Sequence, residues 1–334
     1  MTEIQPQQPN GTETQLPLVS YVIATYNRRG DVAEALQSIV EQSYPNKEIV
    51  VVSNATDGTA ELFCEGRRFD DDAVTFLDLE GRMGPPKARN IGYREASGDI
   101  LVTIDDDAVF RDPGATERMV DAFDAHPDAG VLAFQSRDYY TDEVVRQEIP
   151  DPPIGSSTPV DEPYETTFFI GVGNAIRRSA LEAAGKYPEA FVYGFEEMDL
   201  SLRVLDAGYS IRYVPSIAVG HKNSAAGRTP DQASLANQLE NRLRILARNL
   251  PWHHAAVSAV GWSAYTLARG GFKPVADAFE SVFEAREELL AERDVLGEET
   301  LERLRSMGGM VGWWYGPDPR RFLEDEVGLQ RLRW

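Results

Sequence analysis

Short stretches rich in β-branched and aliphatic residues alternate with helical stretches through the first third of the chain. The strand-like stretches are residues 18–25, 47–53, 73–79 and 99–104. Between them, residues 30–45 carry apolar side chains at helical spacing, and residues 85–98 begin with two prolines and end in glycine. Alternating strands and helices form right-handed βαβ units. The sequence therefore predicts an α/β fold, with a mainly parallel sheet flanked by helices.

Polar residues follow three of these predicted strands. Thr25, Ser53 and Asp105 each stand where a strand ends, and open parallel sheets bind ligands beyond those carboxyl ends. Asp105 begins a run of three aspartates with Asp106 and Asp107. The run is compatible with a solvated turn, a helix N-terminus or a metal site. Close carboxylates at the end of a buried strand repel one another unless a cation or proton relieves them, and Mg²⁺ or Mn²⁺ prefers carboxylate oxygens.

A second acidic cluster opens a predicted helix. Glu196, Glu197 and Asp199 crowd its first turn, where the helix dipole favours anions. Helix capping accounts for one or two of these carboxylates and does not require three. His221 ends a strand-like stretch, where it is either a structural histidine or a metal ligand.

The charge balance limits the classes of partner. Lys and Arg number 33 and Asp and Glu number 54, which gives a formal net charge of −21. Such a surface repels a phosphate backbone, so nucleic acid is not an expected partner. Only five of the basic residues are lysines. Acid-rich, lysine-poor surfaces are typical of proteins from high-salt cytoplasm, where salt screens self-repulsion, and an ordinary acidic enzyme is the alternative.

The cellular compartment is predicted from three features. Cys64 is the only cysteine, so an internal disulfide is impossible and a reducing compartment is expected. Residues 1–16 are polar and lack the apolar core of a leader peptide, which indicates a disordered tail. No run reaches the roughly 18 to 20 apolar residues of a membrane span. We expect a cytoplasmic protein, with peripheral contact at the cytoplasmic face of the cell membrane as a further expectation.

Several motifs then follow one another in a recognisable order: "VSYVIATYNR", "GPPKARNIGYREASGDILVTIDDDAVF" and "GFEEMDLSLRVLDAGYSIRYVPSIAVGH". Their order resembles that of the family 2 glycosyltransferases, from about residue 18 to residue 222. The resemblance implies the GT-A fold, which is Rossmann-like. It also implies transfer of a sugar, with inversion, from a nucleotide-diphosphate donor to an acceptor hydroxyl. The implied donor is UDP- or GDP-linked, and the implied cofactor is a divalent metal, Mn or Mg.

The resemblance also implies a role for individual positions. The implied metal ligands are Asp105, Asp107 and His221. The implied donor-binding residues are Thr25, Asn27, Ser53, Arg89, Asn90, Asp105 and Asp106. Glu197 stands at the position of the catalytic base, and the acceptor side is assigned to Gly173, Asn174 and Glu196. The segment "VVVSNATDGT" departs from the family pattern, because Ser53 and Asn54 stand where an aspartate hydrogen-bonds the base. The sequence therefore does not select uracil over guanine.

The chain divides into three predicted parts: a disordered tail at 1–16, a GT-A catalytic domain at 17–230 and a helical C-terminal extension at 231–334. Residues 147–166 are rich in proline, serine and acids, and are predicted to form a long loop able to act as a lid.

The extension resembles the family only loosely, through "LENRLRILARNLP", which is similar to the tail of members that act on lipid-linked saccharides. The corresponding expectation is a hexosyl transfer to a glycan on a dolichol-phosphate-type carrier. The expected pathway is cell-surface (S-layer) or protein N-glycan synthesis, as in halophilic archaeal members. The helices either pack on the catalytic domain or lie on a bilayer surface. The residues behind the second interpretation are Arg242, Arg244, Arg248, Trp252, Trp262 and Tyr265.

Three other functions are compatible with an α/β fold. A sugar-phosphate nucleotidyltransferase would need a glycine-rich, arginine-bearing loop after the first strand, and "ATYNRRGD" is not one. A phosphatase with an aspartate nucleophile would carry "DxDGT" on that strand, which instead ends at Thr25. A non-catalytic sugar- or nucleotide-binding protein would tolerate loss of the acids, and both clusters are present.

Overall fold

The computed structural model describes residues 16–81, 83–150, 160–191, 194–224 and 231–307. Residues 1–15 of the predicted disordered tail, part of the predicted lid loop and the end of the extension therefore lie outside the described residues. The described strands are β1 (Val19–Thr25), β2 (Lys47–Ser53), β3 (Val74–Asp78), β4 (Ile100–Ile104), β5 (Ala108–Phe110), β6 (Ala129–Asp138), β7 (Tyr164–Thr166), β8 (Gly173–Arg177) and β9 (Ser210–His221).

The described strands form one mixed sheet in the order β3-β2-β1-β4-β8-β6-β9-β5, with β7 paired to β9. The pairs of β1 with β2 and β4, and of β2 with β3, are parallel, as the sequence predicts. Beyond β4 the sheet departs from that expectation, because β8 runs antiparallel to both β4 and β6. The α/β fold is confirmed: the half built from βαβ units is parallel, and the other half is mixed, because β6 pairs in parallel with β9.

Helices cover the sheet and bury it on both faces. In the catalytic part they are α1 (Arg29–Val40), α2 (Pro85–Glu95), α3 (Ala115–Ala125), α4 (Arg178–Ala184) and α5 (Glu196–Asp206). All five residues of β4 are buried, as expected for a strand covered on both faces. Glycines allow close packing at two crossings: a Cβ on Gly92 of α2 would overlap Val22 of β1, and one on Gly98 would overlap the backbone at Leu18.

The extension is helical and packs on the catalytic part. Its described helices are α6 (Asp231–Asn249), α7 (Trp252–Gly270), α8 (Phe272–Glu284), α9 (Arg286–Ala291) and α10 (Glu298–Met307). Leu239, Leu246 and Leu304 belong to the same buried core as the sheet. None of the helices within the described ranges is both long and apolar enough to cross a membrane.

Candidate active site

The run of three aspartates forms the turn between β4 and β5. β5 pairs antiparallel with β9, and this register sets Ala108 opposite His221. One oxygen from Asp105, one from Asp107 and one ring nitrogen of His221 all lie within 4.8 Å of one another. The fold thus brings together the three side chains that the sequence analysis grouped as metal ligands.

A glutamate that sequence reasoning missed holds the ring of His221. Glu148 ends a short 3₁₀ turn, Arg146–Glu148, and its carboxylate lies 2.9 Å from Nδ1 of His221. The Glu148 carboxylate also accepts hydrogen bonds from Ser136 and Asn223. The other ring nitrogen, Nε2, lies 3.3 Å from Asp107. Because the Glu148 carboxylate contacts Nδ1, Nε2 of His221 faces the aspartates. A histidine that binds a metal through one ring nitrogen commonly has a carboxylate at the other.

Neighbouring charges shift the pKa values of His221 and Asp107 in opposite directions. Burial acts to lower the pKa of His221, but hydrogen bonds to Asp107 and Glu148 raise it to about 10. Burial acts to raise the pKa of Asp107, but His221 and Arg28 together hold it below its usual range. Two carboxylate oxygens and one imidazole nitrogen are ligands that Mn²⁺ and Mg²⁺ accept. The donor set therefore fits a divalent cation.

Asp106, the middle aspartate of the run, makes its hydrogen bonds outside the group formed by Asp105, Asp107 and His221. Asp106 is buried and accepts hydrogen bonds from the Thr25 hydroxyl and the Arg28 guanidinium, each at 2.8 Å. Burial raises the pKa of Asp106 to about 6, and the two hydrogen-bond donors limit that rise. Asp106 and Thr25 were predicted to bind the donor directly. In the structure they join the end of β1 to the aspartate turn, and their contact with the donor stays a prediction.

The guanidinium of Arg89 joins the two acidic clusters. It extends from α2, with Nη2 2.7 Å from Asp105 and Nη1 2.7 Å from Glu197. Glu196 lies farther away, at 3.8 Å. A Cβ on Gly171 would overlap both the Glu197 carboxylate and Arg89, so the backbone at residue 171 approaches them closely. Arg89 was predicted to bind the donor, and the structure places it between Asp105, a predicted metal ligand, and Glu197, the predicted catalytic base.

Glu196 and Glu197 begin α5 but differ in surroundings. Burial, with the neighbouring Glu197 charge, raises the pKa of Glu196 to about 8. One oxygen of Glu196 is buried without a hydrogen-bond partner. Burial also raises the pKa of Glu197, although Arg89 opposes the rise. Glu196 is therefore mainly protonated at neutral pH, and Glu197 is the carboxylate that a cation supports.

The turn before α5 is held by the extension. Gly194 and Phe195 both have positive φ, at 91° and 67°, and Phe195 is a residue that rarely adopts this region. Asn241 of α6 donates a hydrogen bond to the Gly194 carbonyl at 2.7 Å. The buried Arg242 guanidinium stacks 3.9 Å from the Phe195 ring centroid and 4.1 Å from that of Trp262. The extension thus fixes the backbone that presents Glu196 and Glu197.

Three further predicted donor-binding residues, Asn27, Ser53 and Asn90, make hydrogen bonds to nearby backbone groups, and of the three Ser53 and Asn90 are buried. Asn27 accepts a hydrogen bond from the Thr56 backbone at 2.7 Å, and the Ser53 hydroxyl accepts one from the Ala55 backbone at 3.1 Å. Asn90 is buried and bonds the backbone of Tyr187 in both directions. These contacts hold loops in place at the sheet edge, and the predicted donor contacts of the three residues stay predictions.

Gly173 and Asn174 lie on β8, beside β4. A Cβ on Gly173 would meet Phe134 and Val219, which belong to the core. Asn174 is fully buried and donates a hydrogen bond to the Ile170 carbonyl at 3.1 Å. Both residues are therefore buried beside β4, and their role on the acceptor side stays a prediction.

Comparison with known proteins decides the family. The model of "Glycosyl transferase family 2" matches residues 20–185, about half of the chain. The chain is a family 2 glycosyltransferase. The glycosyltransferase is 27% identical over 231 residues to the uncharacterised glycosyltransferase YwdF of Bacillus subtilis. The alignment covers 67% of this chain and 82% of that protein.

Solved structures agree on the fold of the glycosyltransferase. A mannosyltransferase from Pyrobaculum calidifontis, in complex with GDP-Man and Mn²⁺, aligns with a TM-score of 0.54 at 21% identity over 94% of this chain and 89% of that one. TarS 1–349 of S. aureus, in complex with UDP-GlcNAc, aligns with a TM-score of 0.56 at 14% identity over 94% and 92%. Both likenesses confirm the predicted GT-A fold.

Proposed function

We propose that the protein transfers a sugar, with inversion at the anomeric carbon, from a nucleoside-diphosphate donor to an acceptor hydroxyl. One observation carries the proposal: Arg89 contacts Asp105 and Glu197 at 2.7 Å each. The cation-binding cluster and the carboxylate proposed as base therefore border the same space. An inverting transfer needs this arrangement, with charge stabilisation at the leaving group and a base at the attacking hydroxyl.

Asp105, Asp107 and His221 would hold the divalent metal. When bound, the metal neutralises the negative charge that develops on the leaving diphosphate. Glu148 keeps the His221 ring oriented through Nδ1, and Arg28, 3.3 Å from Asp107, adds a positive charge at the same edge. The proposed metal is Mn or Mg.

Glu197 would accept the proton of the attacking hydroxyl. Its contact with Arg89 keeps an ionised carboxylate available despite burial, and its side chain is 15% exposed, against 4% for Glu196. Glu196, protonated at neutral pH because of its burial, would remain a neutral neighbour that does not repel the Glu197 charge.

The finer assignments rest on the relatives' ligands and on the resemblance of the extension. GDP-Man and UDP-GlcNAc are bound by two proteins of the same fold, which supports a UDP- or GDP-linked hexose as donor. We propose an acceptor glycan on a lipid carrier of the dolichol-phosphate type, in a cell-surface or protein N-glycan pathway. The reaction would take place in the cytoplasm or at the cytoplasmic face of the cell membrane.

Donor hydrolysis in the absence of acceptor tests the proposal. A panel of UDP- and GDP-sugars is incubated with the protein, with Mn²⁺ or with EDTA, and release of the nucleoside diphosphate is measured. We expect release from at least one donor, dependent on Mn²⁺, and lost in Asp105→Ala and Asp107→Ala. The matched control, Asp72→Ala, removes an exposed acid outside the site and should behave as wild type. Full activity in EDTA, or donor binding without release in any condition, would overturn the proposal.

A further inference from the structure

The turn that leads into α5 has a backbone conformation that needs support. Gly194 and Phe195 have φ angles of 91° and 67°, and Phe195, with ψ at 5°, lies in the left-handed helical region. Glycine adopts this region freely, but a side chain as large as phenylalanine rarely does. Such a conformation persists only where the surrounding structure holds it. The turn ends directly before Glu196 and Glu197, so the contacts that hold the turn also set where these two carboxylates lie.

Arg242 of α6 supports the turn through its guanidinium. The guanidinium lies between two aromatic rings, 3.9 Å from the Phe195 centroid and 4.1 Å from the Trp262 centroid. Nη1 donates a hydrogen bond to the Gln238 carbonyl at 3.3 Å, and Nε and Nη2 have no hydrogen-bond partner within the described residues. Arg242 and Trp262 were among the residues behind the bilayer interpretation, and packing buries both. The ring of Phe195 is therefore a direct link between α6 and the turn.

A buried cation that rests on aromatic faces destabilises the fold. Buried charges are normally paired with an opposite charge, because desolvation disfavours the ionised form. Burial lowers the pKa of Arg242 to about 9, so the guanidinium is still charged at neutral pH but is held there at a cost in stability. The two cation–π contacts offset part of this cost, and an apolar side chain of similar size would avoid it. An arginine at this position therefore indicates a role other than stability.

α6 also holds α5 at a second point, on nearly the opposite side of that helix from Glu197. Asp199 follows Glu197 by two residues, about 160° away around α5, and is fully buried. Its Oδ1 accepts a hydrogen bond from Asn249, the last residue of α6, at 2.8 Å. About 12 Å back along α6, Asn241 donates a hydrogen bond to the Gly194 carbonyl at 2.7 Å. Contacts before and after Glu197 thus fix both the start of α5 and its rotation about its own axis.

We infer that Arg242 is a positioning residue: through the ring of Phe195 it holds the turn in the conformation that brings Glu197 to its place beside Arg89. The inference rests on the proposed function, because that function gives Glu197 the role of base. The carboxylate of Glu197 has little room, since it lies 2.7 Å from Arg89 and a Cβ on Gly171 would overlap it. A relaxed turn would move this carboxylate, and a displacement of about 1 Å can cost about 10² in rate.

The kinetics and stability of Arg242→Met test the inference. Methionine fills much of the space of arginine and removes the charged plane. We expect kcat for Mn²⁺-dependent release of nucleoside diphosphate to fall by about 10- to 100-fold, while the affinities for donor and Mn²⁺ stay unchanged. The thermal midpoint should stay the same or rise, because the charge is no longer buried. The matched control is Arg244→Met: Arg244 is a second buried arginine of α6, paired with Glu240 of the same helix at 2.9 Å, and its loss should leave kcat at the wild-type value.

A double-mutant cycle tests whether Phe195 carries the effect. Phe195→Leu keeps an apolar side chain and removes the aromatic face on which the guanidinium stacks. If Arg242 acts through this ring, the double variant Arg242→Met/Phe195→Leu should have a kcat close to that of Arg242→Met alone. Losses that multiply would overturn the inference, because the two side chains would then act independently.

Hydrogen exchange gives a readout that does not depend on activity. The backbone N–H of Asp199 donates to the Phe195 carbonyl at 3.1 Å, and exchange across the turn and the first turn of α5 should be faster in Arg242→Met than in wild type or Arg244→Met. A wild-type kcat in Arg242→Met, or a lower kcat together with a lower thermal midpoint, would overturn the inference. If the wild type releases no nucleoside diphosphate from any donor, the proposed function fails. Unchanged exchange at the turn would overturn the inference whether or not the proposed function holds.

Discussion

Substitution of Glu197 by glutamine separates the proposed base from its neighbours. Glutamine keeps the size of the side chain, and its amide oxygen can still accept the hydrogen bond that Arg89 donates at 2.7 Å. It cannot accept a proton. Arg89 retains its ion pair with Asp105, so the surroundings of this proposed metal ligand should not change.

The expected size of the effect follows from the surroundings of Glu197. A general base contributes about 10² to 10⁴ in rate, so Glu197→Gln should lose activity by a factor in that range. Burial raises the pKa of Glu197, which means that its ionised form is disfavoured in the folded protein. A neutral amide removes that penalty but also removes a charge partner of the buried Arg89, and because the two effects oppose each other the thermal midpoint should change little. Loss of activity without loss of stability is the expected signature.

The assay is Mn²⁺-dependent release of nucleoside diphosphate at saturating donor, because water and an acceptor hydroxyl need the same base. Donor binding, measured separately by calorimetry, should be unchanged in Glu197→Gln. Glu196→Gln is the matched control: it lies one residue away and is mainly protonated at neutral pH, so it should lose far less activity. If Glu197→Gln stays within a few-fold of wild type while Glu196→Gln or Asp199→Asn is inactive, the base is a different carboxylate.

Three other predictions concern stability and metal binding. The pKa of Glu196 is raised from 4.5 to about 8, so its protonated form stabilises the fold below pH 4.5 and that contribution is lost as the pH rises through about 8. Between pH 4.5 and about 8, the free energy of unfolding of wild type should fall by about 1.4 kcal/mol per pH unit relative to that of Glu196→Gln. Denaturant unfolding at several pH values measures this difference, and parallel pH profiles for the two proteins would contradict it. Glu148→Gln should weaken Mn²⁺ binding in calorimetry by about 10- to 100-fold, with the exposed Glu143→Gln as control, and equal affinities would return Glu148 to a purely structural role. Because the net charge is −21, the thermal midpoint should rise from dilute buffer to molar salt, and a midpoint that is flat or falls would remove the high-salt interpretation.

The first four strands could be predicted because strand signals are local. β1, β2, β3 and β4 fall within a residue or two of the stretches predicted from β-branched runs. The polar residues at their carboxyl ends were likewise readable, since parallel strands must end at a common edge. The antiparallel direction of β8 was not predicted, because it depends on the path of the chain between β6 and β8.

Within the site, the sequence by itself determined which residue types are present and roughly where along the chain. The resemblance to the family grouped Asp105, Asp107 and His221 as metal ligands, and the structure brings them together. The sequence could not identify Glu148, which reaches His221 from 73 residues away. No local pattern marks a lone glutamate in a short turn as the partner of a particular histidine.

The same limit applies to Arg89 and to the extension. Arg89 meets Glu197 across 108 residues, and the resemblance assigned it to the nucleotide instead. Arg242 was one of the residues behind the bilayer interpretation of the extension, and in the structure it is buried between two aromatic rings. Local patterns fix periodicity, and periodicity fixes helices, strands and their buried sides. Which charges pair, and which helix surface stays exposed, depends on how distant elements pack, and only the tertiary structure decided that.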